Sequence, residues 1–276
     1  MLRSLKDLEG YVIGATDGPI GHVNDFFFDD EAWVIRYLVV DTGAWLSGRK
    51  VLISPIAIGR PNNGEKVLPV SITKEQVKNS PDIDTEKPVS RQHEMQYFGY
   101  YGYPYYWGGI GLWGGGLYPD MMLPGYAGFG SPQATRLEAE NAYAQAESAR
   151  HQGGDPHLRS CNTVMGYHIH AIDGDIGHVK GLLVEVGTWA IRYIIVNTSN
   201  WWLGHQVLIA PQWIQDVSWS KGTVSVNLTR QAVKDAPSYD PVTPLEREQE
   251  LSIHQHYERP VYWETALKRE TDISRI

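Results

Sequence analysis

Trp33-Val34-Ile35-Arg36-Tyr37-Leu38-Val39-Val40 carries one charge in eight residues, and Trp189-Ala190-Ile191-Arg192-Tyr193-Ile194-Ile195-Val196 repeats it 156 positions later. In a strand, successive side chains point to opposite faces. Both alternating sets are apolar here, so each run reads as a strand covered on both sides. Working outward, Gly18-Pro19-Ile20-Gly21-His22-Val23 matches Gly174-Asp175-Ile176-Gly177-His178-Val179, and Val51-Leu52-Ile53-Ser54-Pro55 matches Val207-Leu208-Ile209-Ala210-Pro211. The alignment needs no gap, and 33 of the 87 positions from 2 to 88 are identical. Unrelated sequence of ordinary composition would give roughly 6%. The register continues through Pro81/Pro237, Arg91/Arg247, Tyr101/Tyr257 and Tyr106-Trp107/Tyr262-Trp263, which predicts two repeats over 2–108 and 158–264.

Within the first repeat, short β-branched and aromatic runs alternate with turn signals every eight to twelve residues, the pattern of a small all-β barrel or sandwich. Strands are predicted at Tyr11–Ala15, Gly21–Asp29, Trp33–Asp41, Lys50–Ser54 and Lys66–Ile72. Thr73-Lys74-Glu75-Gln76 and Thr229-Arg230-Gln231-Ala232 open short helices that Pro81 and Pro237 stop, and the first has a capping box. A further helix is predicted from a Thr243 cap to about Gln255, with its counterpart at about 89–98. The predicted fold is mainly β with short helices: two tandem small β-barrels, packed face to face about a pseudo-twofold axis as an intramolecular pseudo-dimer, plus a linker helix. The corresponding domains are 1–108, a Gly/aromatic-rich linker with an Ala-rich helix at 109–157, 158–264, and a C-terminal tail at 265–276. Homodimerisation is a further option.

The string Asp17-Gly18-x-Ile20-Gly21-x-Val23-x-Asp25, followed by Trp33-x-Ile35-Arg36-Tyr37-Leu38-Val39-Val40-Asp41-Thr42-Gly43 and Gly48-Arg49-Lys50-Val51-Leu52-Ile53-Ser54-Pro55, resembles the PRC-barrel family. That family takes its name from the photosynthetic reaction centre, whose H subunit contains the barrel, as does a ribosome-maturation factor. The resemblance covers about 80 residues of each repeat. The second copy departs from it at Asn197, Ser199 and His205-Gln206. Uncharacterised bacterial proteins with two such barrels look most similar. The resemblance implies a non-enzymatic role in assembly, docking or regulation.

Composition narrows the function classes. Hydrophobic residues make up 42% and charged residues 20%, as in a globular chain. The net charge of −8 would repel a phosphate backbone, so nucleic-acid binding is not expected. One cysteine, Cys161, excludes an internal disulfide and a cysteine-based metal or redox pair. The N-terminus has acidic residues by position 7 and lacks a signal peptide's apolar core, so the mature protein is read as starting here. No stretch is long and apolar enough to span a membrane. Cytoplasmic residence is the expectation.

No motif points firmly to catalysis. Gly109-Ile110-Gly111-Leu112-Trp113-Gly114 fits G-x-G-x-x-G, but Pro104-Tyr105-Tyr106-Trp107 before it and Gly115-Gly116 after it give neither the strand nor the helix a dinucleotide site requires. No cofactor is expected. His22 and His178 recur beside Asp17 and Asp173, which suggests an acid–base pair. The structural alternative, a histidine bonded to backbone, is favoured because no nucleophile recurs with it. Arg36 and Arg192, on apolar strands, should meet a carboxylate, with Asp41 a candidate in the first repeat. His168 and His170, two apart on one strand, form a candidate metal pair. The first repeat has Val12 and Gly14 there, so the fold does not need them.

Between the repeats, residues 98–132 hold eleven aromatic residues with Asp120 as the single charge. This segment should cover the barrels or bind a partner, and cover is favoured because each barrel needs it. An Ala-striped helix is predicted from about Thr135 to Gly153. The leading functional reading is a scaffold or docking protein that binds a protein partner through Trp45, Trp201 and Trp202, because Trp is enriched at interface hot spots. The alternative is a small-ligand or metal-binding protein, or an enzyme, using the cleft between the barrels.

Overall fold

The computed structural model describes residues 1–59, 65–81, 89, 91–107, 111–123, 157–198 and 205–264. The Ala-rich helix, the C-terminal tail, Trp201 and Trp202 lie outside the described residues. In chain order the elements are β1 (Leu2–Ser4), α1 (Leu5–Leu8), β2 (Val12–Ala15), β3 (Gly18–Asp29), β4 (Val34–Asp41), β5 (Lys50–Ile53), β6 (Val67–Pro69), α2 (Lys74–Lys78) and α3 (Arg91–Tyr101). There follow β7 (Leu158–Ser160), α4 (Cys161–Val164), β8 (His168–Ala171), β9 (Gly174–Glu185), β10 (Ala190–Asn197), β11 (Gln206–Ile209), β12 (Ile214–Ser218), β13 (Thr223–Val226), α5 (Arg230–Lys234) and α6 (Arg247–His256). The bounds of β1 through β5 and of α1 and α2 recur 156 residues later without change.

The chain divides into two compact units. Apart from Met1 and Leu2, unit 1 takes Arg3–Thr163 with Val184–Arg192, and unit 2 takes Val164–Leu183 with Tyr193–Ile276. Unit 1 thus includes two short segments that by sequence belong to the second repeat.

In unit 1 the strands are ordered β4–β3–β2–β6, with β5 on the outer side of β4. All these pairings are antiparallel except β2–β6, which is parallel. β3 is long enough to pair with β2 at its start and with β7 at Phe27–Asp29. In unit 2 the order is β12–β13–β8–β9–β10, with β11 on β10 and a parallel step at β13–β8.

The sheets do not close, which corrects the expectation of closed barrels. In unit 1 the reason is local. β6 is three residues long, and on its outer edge Val70 meets Ile58 in a single bridge, with Gly59 N–H donating to the Pro69 carbonyl at 2.8 Å, so no full strand ladder forms there. At the opposite edge the Tyr97 hydroxyl from α3 accepts the Ser54 N–H at 3.1 Å and donates to the Leu52 carbonyl at 3.1 Å. A side chain thereby occupies backbone groups that a closing strand would have used.

β4 is covered on both faces as its sequence demands, for every residue from Val34 to Val40 is buried. Part of the cover is α3, whose Tyr97 and Phe98 rings lie edge-on to Tyr37 at 5.1 and 6.4 Å. The rest comes from the aromatic segment, where Tyr103, Tyr106, Trp107, Trp113 and Met122 are buried in unit 1. For its described residues this segment is a cover, as expected. The capping box at Thr73 and Gln76 also forms. α6 starts three residues later than predicted, at Arg247, because Glu246 and Gln249 make the box instead of Thr243.

Trp33 and Trp189 both adopt left-handed backbone conformations, with φ of 55° and 58°. This region is costly for a bulky residue. Each tryptophan is held by reciprocal bonds within unit 1: Ile35 N–H donates to the Trp189 carbonyl and Ile191 N–H to the Trp33 carbonyl, both at 2.8 Å, around the pair Val34 and Ala190. The two bonds are equivalent by the 156-residue repeat, each running from the isoleucine of one repeat to the tryptophan of the other.

Gly21 and Gly177 are required sterically, since a Cβ on either would overlap the carbonyl oxygen of Asp41 or Asn197. Gly21→Ala should therefore push β3 from β4 and lower unfolding stability by about 1–3 kcal/mol. Urea denaturation checks this, with Gly99→Ala, which meets nothing within 4 Å and has no left-handed φ, controlling for overlap.

Candidate functional site

Among the described residues, the densest group of buried ionisable side chains in unit 1 surrounds Glu94 of α3. Its side chain has no solvent exposure. Oε1 accepts from the Tyr106 hydroxyl at 2.6 Å and the Tyr37 hydroxyl at 3.2 Å. Oε2 accepts from Arg91 Nη1 at 3.1 Å and meets His157 Nε2 at 2.9 Å. A buried carboxylate is tolerated only when such donors replace its water. Burial and the neighbouring Glu94 charge push both the Tyr37 and Tyr106 hydroxyls well above their ordinary values.

The same arrangement recurs in unit 2 around Glu250 of α6, the residue 156 positions after Glu94. Glu250 accepts from Tyr193 at 3.1 Å and Tyr262 at 2.9 Å, with Arg247 at 3.4 Å. Neither glutamate was singled out from sequence. The signal was present: Glu94/Glu250, Arg91/Arg247, Tyr37/Tyr193 and Tyr106/Tyr262 are all identical pairs.

The networks differ in their histidines: His157 reaches Glu94 in the first. His254 stands where the first repeat has Phe98. Its Nδ1 faces the Pro260 carbonyl at 2.8 Å, so Nδ1 bears a proton, and Nε2 faces the Tyr193 hydroxyl at 3.0 Å. Glu250 also lies against Tyr193, and the rings of Trp213, Tyr262 and Trp263 surround the imidazole. Burial holds the His254 pKa below its ordinary value. Between that lowered value and about 6.5 the folded chain binds fewer protons than the unfolded one. Stability is then full above about 6.5 and declines as pH falls toward the folded value. His254→Phe, which installs the first repeat's residue, should flatten this acid loss. Urea denaturation at pH 8 and pH 5.5 would show a smaller difference for the variant than for the wild type.

The arginines on the central strands also make matched pairs. Arg36 Nη2 bonds Asp29 Oδ2 at 3.1 Å, both side chains being buried, and Arg192 bonds Glu185 through Nε at 3.0 Å. Asp29 and Glu185 are 156 apart. The partner of Arg36 is therefore Asp29 and not Asp41, whose Oδ1 accepts from Gly43 N–H. Odd spacing along a regular strand would put Asp41 on the far face. Arg36 itself occupies a bulge, since Phe27 faces Tyr37 while Phe28 faces Ile35, and bulges re-aim side chains. The guanidinium also donates to the Leu112 carbonyl at 2.6 Å and lies over Tyr106 at 3.8 Å. Burial alone would raise the Asp29 pKa, but the Arg36 charge and the Ala32 N–H outweigh it and hold it below the ordinary value. Arg192 does the same for Glu185.

The other sequence candidates are mostly peripheral. Asp17 and Asp173 accept the Lys74 and Arg230 N–H groups at 2.8 and 2.7 Å, fixing the starts of α2 and α5. His22 is exposed and His178 half-buried. His168 is exposed, while His170 pairs with Asp175. Trp45 is half-buried on the turn after β4; its Nε1 donates to the Ile20 carbonyl, and Lys74 Nζ lies 4.5 Å over its ring. Cys161 is buried, and desolvation pushes its thiol well above the ordinary value.

An open mixed β-sheet braced by a helix through a buried Glu–Tyr–Tyr–Arg network defines a small β-domain. The PRC-barrel domain family model matches residues 3–77, within the first repeat. A protein of Deinococcus radiodurans described as uncharacterized is 33% identical over 94 residues, covering 30% of this chain and 34% of that protein. The aligned part is about a third of that relative's length. No helix among the described residues is long and apolar enough to cross a membrane.

Proposed function

We propose that the chain is a non-enzymatic docking protein made of two PRC-barrel-like repeats that arose by duplication. The observation that carries this reading is the internal use of the buried charges. Glu94, Glu250, Asp29, Arg36, Glu185 and Arg192 pair with one another or with tyrosines in the same pattern in both repeats. Groups used twice in matched structural roles are those the fold requires, whereas a reaction needs groups that converge on substrate. The unchanged element bounds and the reciprocal Trp33/Trp189 bonds support the duplication.

The partner is a protein, met through the turn Gly43–Leu46, where Trp45 offers a half-exposed ring among exposed small residues. Trp201 is its counterpart by repeat and takes the same role, with Trp202 beside it. The cytoplasm is the proposed location. The test is capture with the full chain and with Trp45→Ala, after circular dichroism shows both folded. A protein retained in stoichiometric amount by the wild type and lost with the variant supports docking. Recovery of a bound metabolite, or substrate turnover by the purified chain, overturns it.

A further inference from the structure

The outward face of the unit 2 sheet differs chemically from the same face of the first repeat. On β8, Ile169 is buried while His168 and His170 on either side are not, so both histidines point outward. β9 places His178 directly opposite His168, and β13 places Thr223 beside it. The first repeat has Val12 at the position of His168, Gly14 at that of His170 and Val67 at that of Thr223. Of these positions only His22, opposite Val12, has the same residue as its counterpart, His178. Since the first repeat folds with apolar residues there, the imidazoles of the second are not demanded by the sheet.

The strand register brings two of them together. His168 N–H donates to the Gly222 carbonyl, away from β9. An antiparallel residue directs its N–H and C=O to the same side, so His168 and His178 form a non-hydrogen-bonded pair, the closer of the two kinds. Their Cβ atoms are then about 4.5–5.5 Å apart. Two imidazoles at that spacing on one face can both reach a single ion at metal–nitrogen distances of about 2.0–2.1 Å. His170, two residues further along the strand, pairs with Asp175 instead.

We propose that His168 and His178 form a two-imidazole site for a borderline divalent transition-metal ion such as zinc or nickel. Among the described residues no three His, Cys, Asp or Glu side chains are arranged to hold a metal, so the protein supplies two ligands and water the rest. Imidazole selects this class of ion over magnesium or calcium.

The experiment is calorimetric titration of the full chain with zinc chloride, and separately nickel chloride, at pH 7.5. His168→Val restores the first repeat's residue at an exposed position, so it should fold; circular dichroism checks this. The wild type should bind one ion, and His168→Val and His178→Ala should each weaken binding at least about tenfold, the range seen even for loss of groups one shell further out. His22→Ala, which lacks a facing histidine, should leave the isotherm unchanged. Absence of heat from the wild type, or an isotherm that survives His168→Val, overturns the assignment.

Discussion

Glu94→Leu should lower the unfolding free energy of unit 1 by about 3–5 kcal/mol, the range for removing one member of a buried charge pair. The substitution leaves the buried Tyr37 and Tyr106 hydroxyls without their shared acceptor and takes the counter-charge from Arg91. Arg91 is 24% exposed and recovers some water, which keeps the effect toward the lower end of that range. Glu94→Gln retains an oxygen for the tyrosines and should lose less than half as much. Glu250→Leu should also be milder than Glu94→Leu, because Arg247 is 56% exposed, lies 3.4 Å away and gives a weaker ion pair. Urea denaturation of the three variants gives the ordering directly. A Glu94→Leu protein within about 1 kcal/mol of wild type would show that the network is dispensable, against the usual penalty for unpaired buried groups.

The second large effect concerns Arg36. Arg36→Met keeps the length of the side chain but strips Asp29 of its counter-charge and frees the Leu112 carbonyl, and should cost about 3 kcal/mol at neutral pH. Asp29 retains the Glu31 and Ala32 N–H groups, so its carboxylate is not wholly abandoned. The loss should depend on pH in a defined direction. The Asp29 pKa is depressed in the fold, so the stability it contributes is present above the unfolded value of about 3.9 and disappears as pH falls through the lower folded value. The gap between wild type and Arg36→Met should therefore be widest at neutral pH and narrow in acid. Adding Asp29→Asn should recover part of the loss, and a double-mutant cycle measures the coupling. A gap that stays constant from pH 7 to pH 3 would contradict the pairing.

The repeat was legible because matching loop lengths and the recurring Trp-x-Ile-Arg-Tyr core survive substitution elsewhere. Burial of β4 on both faces followed from its unbroken apolar run. The partner of Arg36 was hidden for two physical reasons: its acid is Asp29 in one repeat and Glu185 in the other, within the poorly matching stretch 24–32, and the bulge that turns Arg36 toward it leaves no mark on composition. Glu94 was hidden because a glutamate in a short polar helix reads as solvent-facing, and only the tyrosines of distant strands make it a buried acceptor. Sheet closure depends on what occupies the last edge. There the Tyr97 hydroxyl takes the place of a strand, which strand propensities do not encode. The left-handed Trp33 and Trp189 were equally invisible, since glycine would be the usual choice for that backbone.

The two equivalent bonds between the repeats, Ile191 to Trp33 and Ile35 to Trp189, are tested most directly by amide hydrogen exchange, read by NMR on the intact chain. The Ile35 and Ile191 amides, each donating to the other repeat's tryptophan carbonyl, should rank among the slowest and should lose protection together as urea is raised. Exchange of either amide at the rate of an open loop in native buffer would contradict them.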